Sequence, residues 1–244
     1  MAEKWLLDTA VAFGDVDRDN LLTLRGVFQL LQEAAIAHAD RYDTGTGAMV
    51  TRGESWVLNR MAVEVSRYPE YGERLHLETW SSGIRGFKGY RDFRVHDGRG
   101  NLVIAGSSLW IYVSVRTRTI LRVPREIAEQ FPVCTEGVFS PELEELALPA
   151  PEPSAAPCAV TLRYSDIDAN AHVNNTAYLD LLQTALARES TLSRPRVVRI
   201  RYGRGIAATV CSVDVHLARD AASGLTRFGI VAAGEVCAQG EVAT

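Results

Sequence analysis

Ser165-Asp166-Ile167-Asp168-Ala169-Asn170-Ala171-His172-Val173-Asn174-Asn175 is the densest run of reactive polar side chains in the chain, and it leads straight into Thr176-Ala177-Tyr178-Leu179-Asp180-Leu181-Leu182-Gln183. The second stretch reads as an apolar helix: Tyr178, Leu182, Ala185 and Leu186 recur at three- and four-residue steps, and Leu179 and Leu181 widen the buried face. Asn174 or Asn175 is placed to cap it, since an Asn oxygen accepts from a free N–H of the first turn. Asp168, Asn170 and His172 occupy every second position, so an extended segment would turn all three the same way. They would converge just ahead of a helix N-terminus, whose unpaired N–H groups and partial positive charge suit an oxyanion. Carboxylate, amide, imidazole and oxyanion donors together are the parts of acyl transfer to water. Singly, Asp and Asn are ordinary turn and cap residues. The alignment of three such groups before an apolar helix is what points to chemistry.

Working outward, the chain contains a second version of this junction. Asp15-Val16-Asp17 aligns with Asp166-Ile167-Asp168, and Leu30-Leu31-Gln32 aligns with Leu181-Leu182-Gln183, at one constant offset without a gap. At that offset His172 falls on Leu21 and Asn170 on Asp19. The first copy keeps the fold pattern and the carboxylate pair but has no histidine, so one half is expected to do chemistry and the other to shape the pocket.

Between these points the pattern predicts a short strand and turn over residues 9–17 and a helix from a Thr23 cap to about residue 39. His38 lies near that helix's end, where a cation is mildly favoured. A Gly- and Thr-rich loop over 42–53 comes next, then strands over 56–67, 75–81, 87–96 and 102–115, with a loop at 82–86 and a break near Gly106. Residues 124–157 hold a short helix and then six prolines among acidic residues, which suits a connection rather than a sheet interior. Strands over 159–164, 197–202, 210–218, 226–233 and 235–242 complete the second half. The layout is α+β: a helix and an antiparallel sheet able to wrap it, twice. The division expected is 1–131, a connection at 132–157, and 158–244.

The chain has 26 Lys+Arg against 30 Asp+Glu, a net charge of −4, which argues against bulk nucleic-acid binding. Its four cysteines, Cys134, Cys158, Cys211 and Cys237, form no CxxC pair and no zinc-like spacing with histidine, so neither a metal nor a cofactor is expected. No signal core and no membrane-length apolar run is present, so the expected location is cytoplasmic.

At Leu30-Leu31-Gln32-Glu33-Ala34-Ala35, Trp56-Val57-Leu58-Asn59-Arg60-Met61, Arg67-Tyr68-Pro69-Glu70-Tyr71-Gly72, Tyr90-Arg91-Asp92-Phe93 and residues 166–175, the sequence resembles the acyl-[acyl carrier protein] thioesterases. The resemblance implies two tandem hot-dog domains, each a long helix wrapped by a curved antiparallel sheet. It further implies a hydrolase that releases free fatty acid from acyl carrier protein. Under it, Asp168, Asn170 and His172 are the catalytic residues, with Asp168 either attacking the thioester or activating water. The helix start at Asn174 and Asn175 supplies oxyanion donors. Trp56, Leu58 and Met61 are candidates for the acyl slot, and Arg85, Lys88, Arg91 and Arg94 for docking the acidic carrier protein. A homodimer is compatible with this picture. The family's Glu-Cys pair, or Glu, falls at Gly205 and Ile206, and its helix acid at Thr184. Those departures keep open an acyl-CoA thioesterase on the same fold, or a non-catalytic acyl-binding hot-dog protein.

Overall fold

The computed structural model describes residues 4–42, 45–134, 136–138, 142–152, 156–189, 194–220 and 223–244. In chain order the elements are β1 (Trp5–Ala10), α1 (Leu24–Asp40), α2 (Thr46–Arg52), β2 (Glu54–Val65), β3 (Arg74–Arg85), β4 (Lys88–Asp97), β5 (Leu102–Ser114), β6 (Thr119–Ile120) and α3 (Arg125–Gln130) in the first half. The second half holds β7 (Cys158–Thr161), α4 (Ala177–Arg188), β8 (Val197–Tyr202), β9 (Ser212–Arg219), β10 (Thr226–Ala232) and β11 (Glu235–Ala243). All strands join one antiparallel sheet in the order β1-β3-β4-β5-β2-β8-β11-β10-β9-β7, with β6 on β5. The halves meet where β2 pairs with β8, Met61 opposite Ile200 and Val63 opposite Val198.

Each helix buries its apolar stripe in the concave side of its own part of the sheet. Leu24, Val27, Phe28, Leu31, Ala34 and Ala35 do this for α1, and Tyr178, Leu179, Leu182, Ala185 and Leu186 for α4, within one shared core. The Thr23 cap forms as expected, its Oγ1 accepting from Gly26 N at 3.0 Å. Strand β5 runs unbroken through Gly106, where a Cβ would lie 3.4 Å from Leu31 Cδ1 and 3.3 Å from Val63 Cγ2. The glycine lets α1 close onto the sheet rather than interrupting the strand.

Three other expectations change. The first strand covers Trp5–Ala10, with Trp5, Leu7 and Thr9 turned inward, and residues 13–15 form a 3-10 turn. Residues 82–85 belong to β3, carried past a bulge between Ser81 and Gly83. The stretch expected to be a loop contains α2, which packs on β2 and α1 and ends at Gly53 in the left-handed region (φ 69°).

The described part of the 132–157 connection lies on the convex face of the sheet. Leu143 is buried against Ala62, Tyr90 and Leu109, and Arg60 Nη1 donates to the carbonyls of Leu143 (2.9 Å) and Leu146 (2.7 Å). Trp80 Nε1 donates to Glu136 O at 2.9 Å. No helix among the described residues is long and apolar enough to cross a membrane.

Candidate active site

Residues 168–172 form a closed turn, not an extended run. Asp168 N donates to His172 O (2.8 Å), and Ala171 N donates to Asp168 O (3.0 Å). Asp168 Oδ1 accepts from the backbone N–H of Asn170 (2.8 Å) and of His172 (3.4 Å). Ala171 pays for the reversal with φ 58°, a conformation that costs an L-residue roughly 1–2 kcal/mol. The chain reversal therefore brings the backbone N–H groups of Asn170 and His172 onto the Asp168 carboxylate; the every-second-residue alternation plays no part. A short side chain that accepts from N–H groups two and four residues on is what bends the backbone here.

The rest of the molecule pins the turn from both flanks. Ala208 N donates to Ala171 O, Val173 N to Ile206 O, and Asn174 N to Asp166 O. Asp166 is buried (1% exposed) and held by Arg163 and by Arg25 from α1. Burial pushes its carboxyl up, but the Arg163 hydrogen bonds outweigh that and keep it ionised, below the usual carboxylate range. Tyr178, on the first turn of α4, accepts from Ile206 N at 3.3 Å; burial raises its phenol, which stays protonated.

One oxygen of Asp168 is thus spent on the backbone. Among the described residues the other, Oδ2, has no hydrogen-bond or ion-pair partner. His172 Nδ1 lies 2.8 Å from Asn170 O. A carbonyl only accepts, so Nδ1 carries the proton and Nε2 is the open ring nitrogen. The ring packs against Gly205, where a Cβ would stand 3.0 Å from His172 Cδ2. Gly205 is therefore the floor under the imidazole.

The helix starts one residue later than the Asn caps predict. The cap position of α4 is Thr176, and no side chain caps it. Asn174 Oδ1 accepts from Thr176 N (2.9 Å) and Thr176 Oγ1 (2.8 Å), Asn174 N is bonded to Asp166 O, and Asn175 O accepts from Tyr202 OH. Asn174 is engaged through its N–H and its Oδ1 in building the junction and Asn175 through its carbonyl, because the chain turns once more before the helix begins.

A cavity of about 760 Å³ begins at Asn170 and runs into the first half, between α1, α2 and the concave sheet. Ala35, Ile36, Ala39, Met49, Trp56 and Trp110 supply much of its wall; Ser81 and Arg91 are among its polar members, with Thr51, Glu54, Ser55 and Arg116. Of the three residues expected at an acyl slot, Trp56 lines this cavity. Leu58 and Met61 do not: on either side of the bulge between Leu58 and Arg60, they pack beside Phe28 and Phe93 around a void of about 10 Å³, too small for a ligand.

The arginine cluster also separates. Arg91 is 7% exposed and points inward, in phase with Phe93 and Val95, a parity visible in the sequence. Lys88 and Arg94 face outward but pair with Glu144 and Glu136 of the connection. Arg85 is exposed and lies over the Tyr90 ring, 5.6 Å from its centroid. The four do not form one basic patch.

With this geometry in place, comparison with known proteins is direct. The family model for the Acyl-ACP thioesterase N-terminal domain matches residues 4–131, and that for the Acyl-ACP thioesterase C-terminal domain matches residues 154–242. The dodecanoyl-[acyl-carrier-protein] hydrolase of Cinnamomum camphora is 33% identical over 190 residues, 72% of this chain and 49% of that protein. The palmitoyl-acyl carrier protein thioesterase of Gossypium hirsutum is 29% identical over 178 residues, 68% of this chain and 43% of its own. The chain spans about half the length of the curated relatives it matches. Among solved structures, an acyl-ACP thioesterase from Bacteroides thetaiotaomicron superposes with a TM-score of 0.86 at 20% identity, covering 98% of this chain and 97% of that one. The 12:0-ACP thioesterase from Umbellularia californica gives 0.83 at 23% identity, covering 98% and 96%. These likenesses establish the tandem hot-dog fold, and the match of the family models over both halves establishes that the chain belongs to the acyl-ACP thioesterase family.

Proposed function

We propose that the protein hydrolyses the thioester of acyl-[acyl carrier protein] and releases free fatty acid. The observation that carries this reading is the cavity reaching Asn170, beside a carboxylate with one oxygen unengaged and an imidazole with its Nε2 open. The acyl chain would lie along Trp56, Met49 and Trp110, with its carbonyl at Asn170. Among the described residues the Asn170 side chain makes no hydrogen bond, so its amide N–H is available to the carbonyl oxygen as charge develops there. Asp168 Oδ2 either takes a proton from water or attacks the carbonyl carbon itself. Where water attacks, His172 Nε2, which carries no proton at rest, takes up the proton that water releases and passes it to the departing sulfur.

The test is thiol release from acyl carrier protein loaded with saturated chains, against the same chains on coenzyme A. Carrier-protein substrate turned over with a higher kcat/KM supports the reading. Preference for coenzyme A moves the protein to the alternative substrate, and absence of turnover on both ends the proposal. Mass spectrometry of the enzyme during turnover separates attack by Asp168, which leaves an acyl adduct, from activation of water, which does not.

A further inference from the structure

The cavity wall carries a buried guanidinium that a plain hydrocarbon chain does not explain. Arg91 lines it from the concave face of β4. Its Nη1 donates to His38 Nδ1 (2.8 Å) and Thr79 Oγ1 (3.1 Å). Among the described residues no carboxylate lies within ion-pair distance, and its Nε and Nη2 have no partner. The neighbouring Asp92 points to the opposite face of the strand, where Ser107 donates to it.

The surroundings add further N–H donors and the hydroxyls of Thr79, Ser81 and Tyr42, but no carboxylate paired with Arg91 among the described residues. His38 accepts at Nδ1, so its Nε2 carries a proton, and that atom is buried without a partner. Burial and the charges of Arg91 and Arg41 hold His38 neutral, its pKa pushed down to about 4. This replaces the expectation of a cationic helix end. Trp5 Nε1, on the ring stacked 6.4 Å from His38, is likewise buried and unpaired. Ser81 lines the wall beside them. A saturated chain pushed against this region would strip water from a guanidinium and return no hydrogen bond. An oxygen on the chain would return one, and a charge-assisted one.

We infer that the cavity takes acyl chains bearing an oxygen acceptor away from the thioester, and that Arg91 is the residue that reads it. This deepens the proposed hydrolysis and rests on it. A terminal carboxylate and an in-chain hydroxyl or keto group share the required chemistry, and they are separate arms of the test. Three carrier-protein thioesters of equal chain length are compared by kcat/KM: saturated, in-chain hydroxy or keto, and carboxyl-terminated. The expected result is that at least one oxygenated arm exceeds the saturated one by about tenfold, the worth of one hydrogen bond to a charged group. Arg91→Met should bring that ratio to within about twofold, and Arg91→Lys should keep part of it. A saturated chain processed as well as or better than both oxygenated chains in the wild-type protein overturns the inference, whether or not the variants fold.

Binding of the free acids is followed in parallel by fluorescence of Trp56 and Trp110, which line the cavity. If no thioester is cleaved, the proposed hydrolysis fails, and the inference then stands only if an oxygenated acid binds about tenfold tighter than its saturated counterpart. Equal binding in that case overturns it.

Discussion

Residues 17–21 and residues 168–172 are the same turn built twice. Asp17 N donates to Leu21 O at 2.8 Å, as Asp168 N does to His172 O at 2.8 Å. Asp17 Oδ1 accepts from the N–H groups of Asp19 (2.9 Å) and Leu21 (3.3 Å), as Asp168 Oδ1 accepts from Asn170 and His172. Asn20 sits at φ 60° and Ala171 at φ 58°. The difference lies in what covers them. In the first copy the chain after α4 returns over the turn, and Arg194 binds Asp17 Oδ2 (2.9 Å from Nε) and Asp19. In the second copy the chain after α1 forms α2 and encloses the cavity that Asn170 borders. Where Gly205 leaves room for the His172 ring, the backbone bond from Leu22 N to Pro69 O, the counterpart of Val173 N to Ile206 O, places Tyr68, whose hydroxyl donates to Pro195 O at 2.6 Å. A loop-closing aspartate is therefore a structural device first. Asp168 differs in that its second oxygen is left unpaired, next to the cavity that Asn170 borders, and the proposed hydrolysis rests on that difference.

The sharpest way to break this comparison is to neutralise both aspartates in turn. Asp168→Asn should lower thioester hydrolysis by about 10³-fold, within the range for removing a positioned acid or base, while thermal unfolding moves little because an amide oxygen still accepts the two N–H bonds. Asp17→Asn should leave turnover within about twofold and lower Tm instead. Comparable loss of turnover in both variants would dissolve the distinction between a reactive turn and a plugged one.

Arg194→Met examines the plug. It leaves Asp17 and Asp19 without their shared cation at a half-buried site and should cost about 1–2 kcal/mol near neutral pH, less than a fully buried pair because solvent screens it. Burial pushes the Asp17 carboxyl up, but the Arg194 hydrogen bond and the N–H groups of Asp19 and Leu21 together hold it below its ordinary value. A depressed folded-state value stabilises the fold above the ordinary carboxylate range, near pH 4, and the gain is lost as pH falls through the lower folded value. Denaturation curves of wild type and variant should converge in acid, and a gap that persists there would show that Arg194 acts by packing alone.

Much of this architecture was legible in the sequence because it follows period: Leu24 through Ala35 and Tyr178 through Leu186 mark two helices, and Met61, Val63 and Val65 mark a strand. The constant offset between copies was legible as well. The turn geometry was not, because alternation of Asp168, Asn170 and His172 fits an extended strand and a reversal equally, and only tertiary hydrogen bonds from Ala208 and Val173 decide between them. Nor was α2, since Gly45-Thr46-Gly47 has low helix propensity and its helix is held by Met49 packing with Tyr112, Ile127 and Phe131. Arg91 was misplaced by charge alone, although its parity with Phe93 already turned it inward.

Gly205→Ala probes the other half of the contrast. The added methyl would meet the imidazole at about the 3.0 Å measured to Cδ2, so the ring must shift by a few tenths of an ångström. The shift should lower kcat by about tenfold with KM little changed, since Gly205 does not line the cavity. If an acid at this position were simply missing, Gly205→Glu would raise kcat, and that result would sink the view of Gly205 as room for the ring.

The smallest effect separates strain from function. Ala171 and Asn20 hold matching left-handed conformations, but asparagine tolerates that region several-fold better than alanine. Ala171→Asn should therefore stabilise the second copy by about 0.5–1 kcal/mol, and Asn20→Ala should destabilise the first by a similar amount. Ala171 is exposed, so the larger side chain meets no packed neighbour. If Ala171→Asn raises Tm and leaves kcat unchanged, the strain at residue 171 is incidental to the chemistry. If Tm rises while kcat falls, the turn has been relaxed out of its working shape, and the second copy keeps alanine there because a stiffer, more comfortable loop places Asp168 and His172 less well.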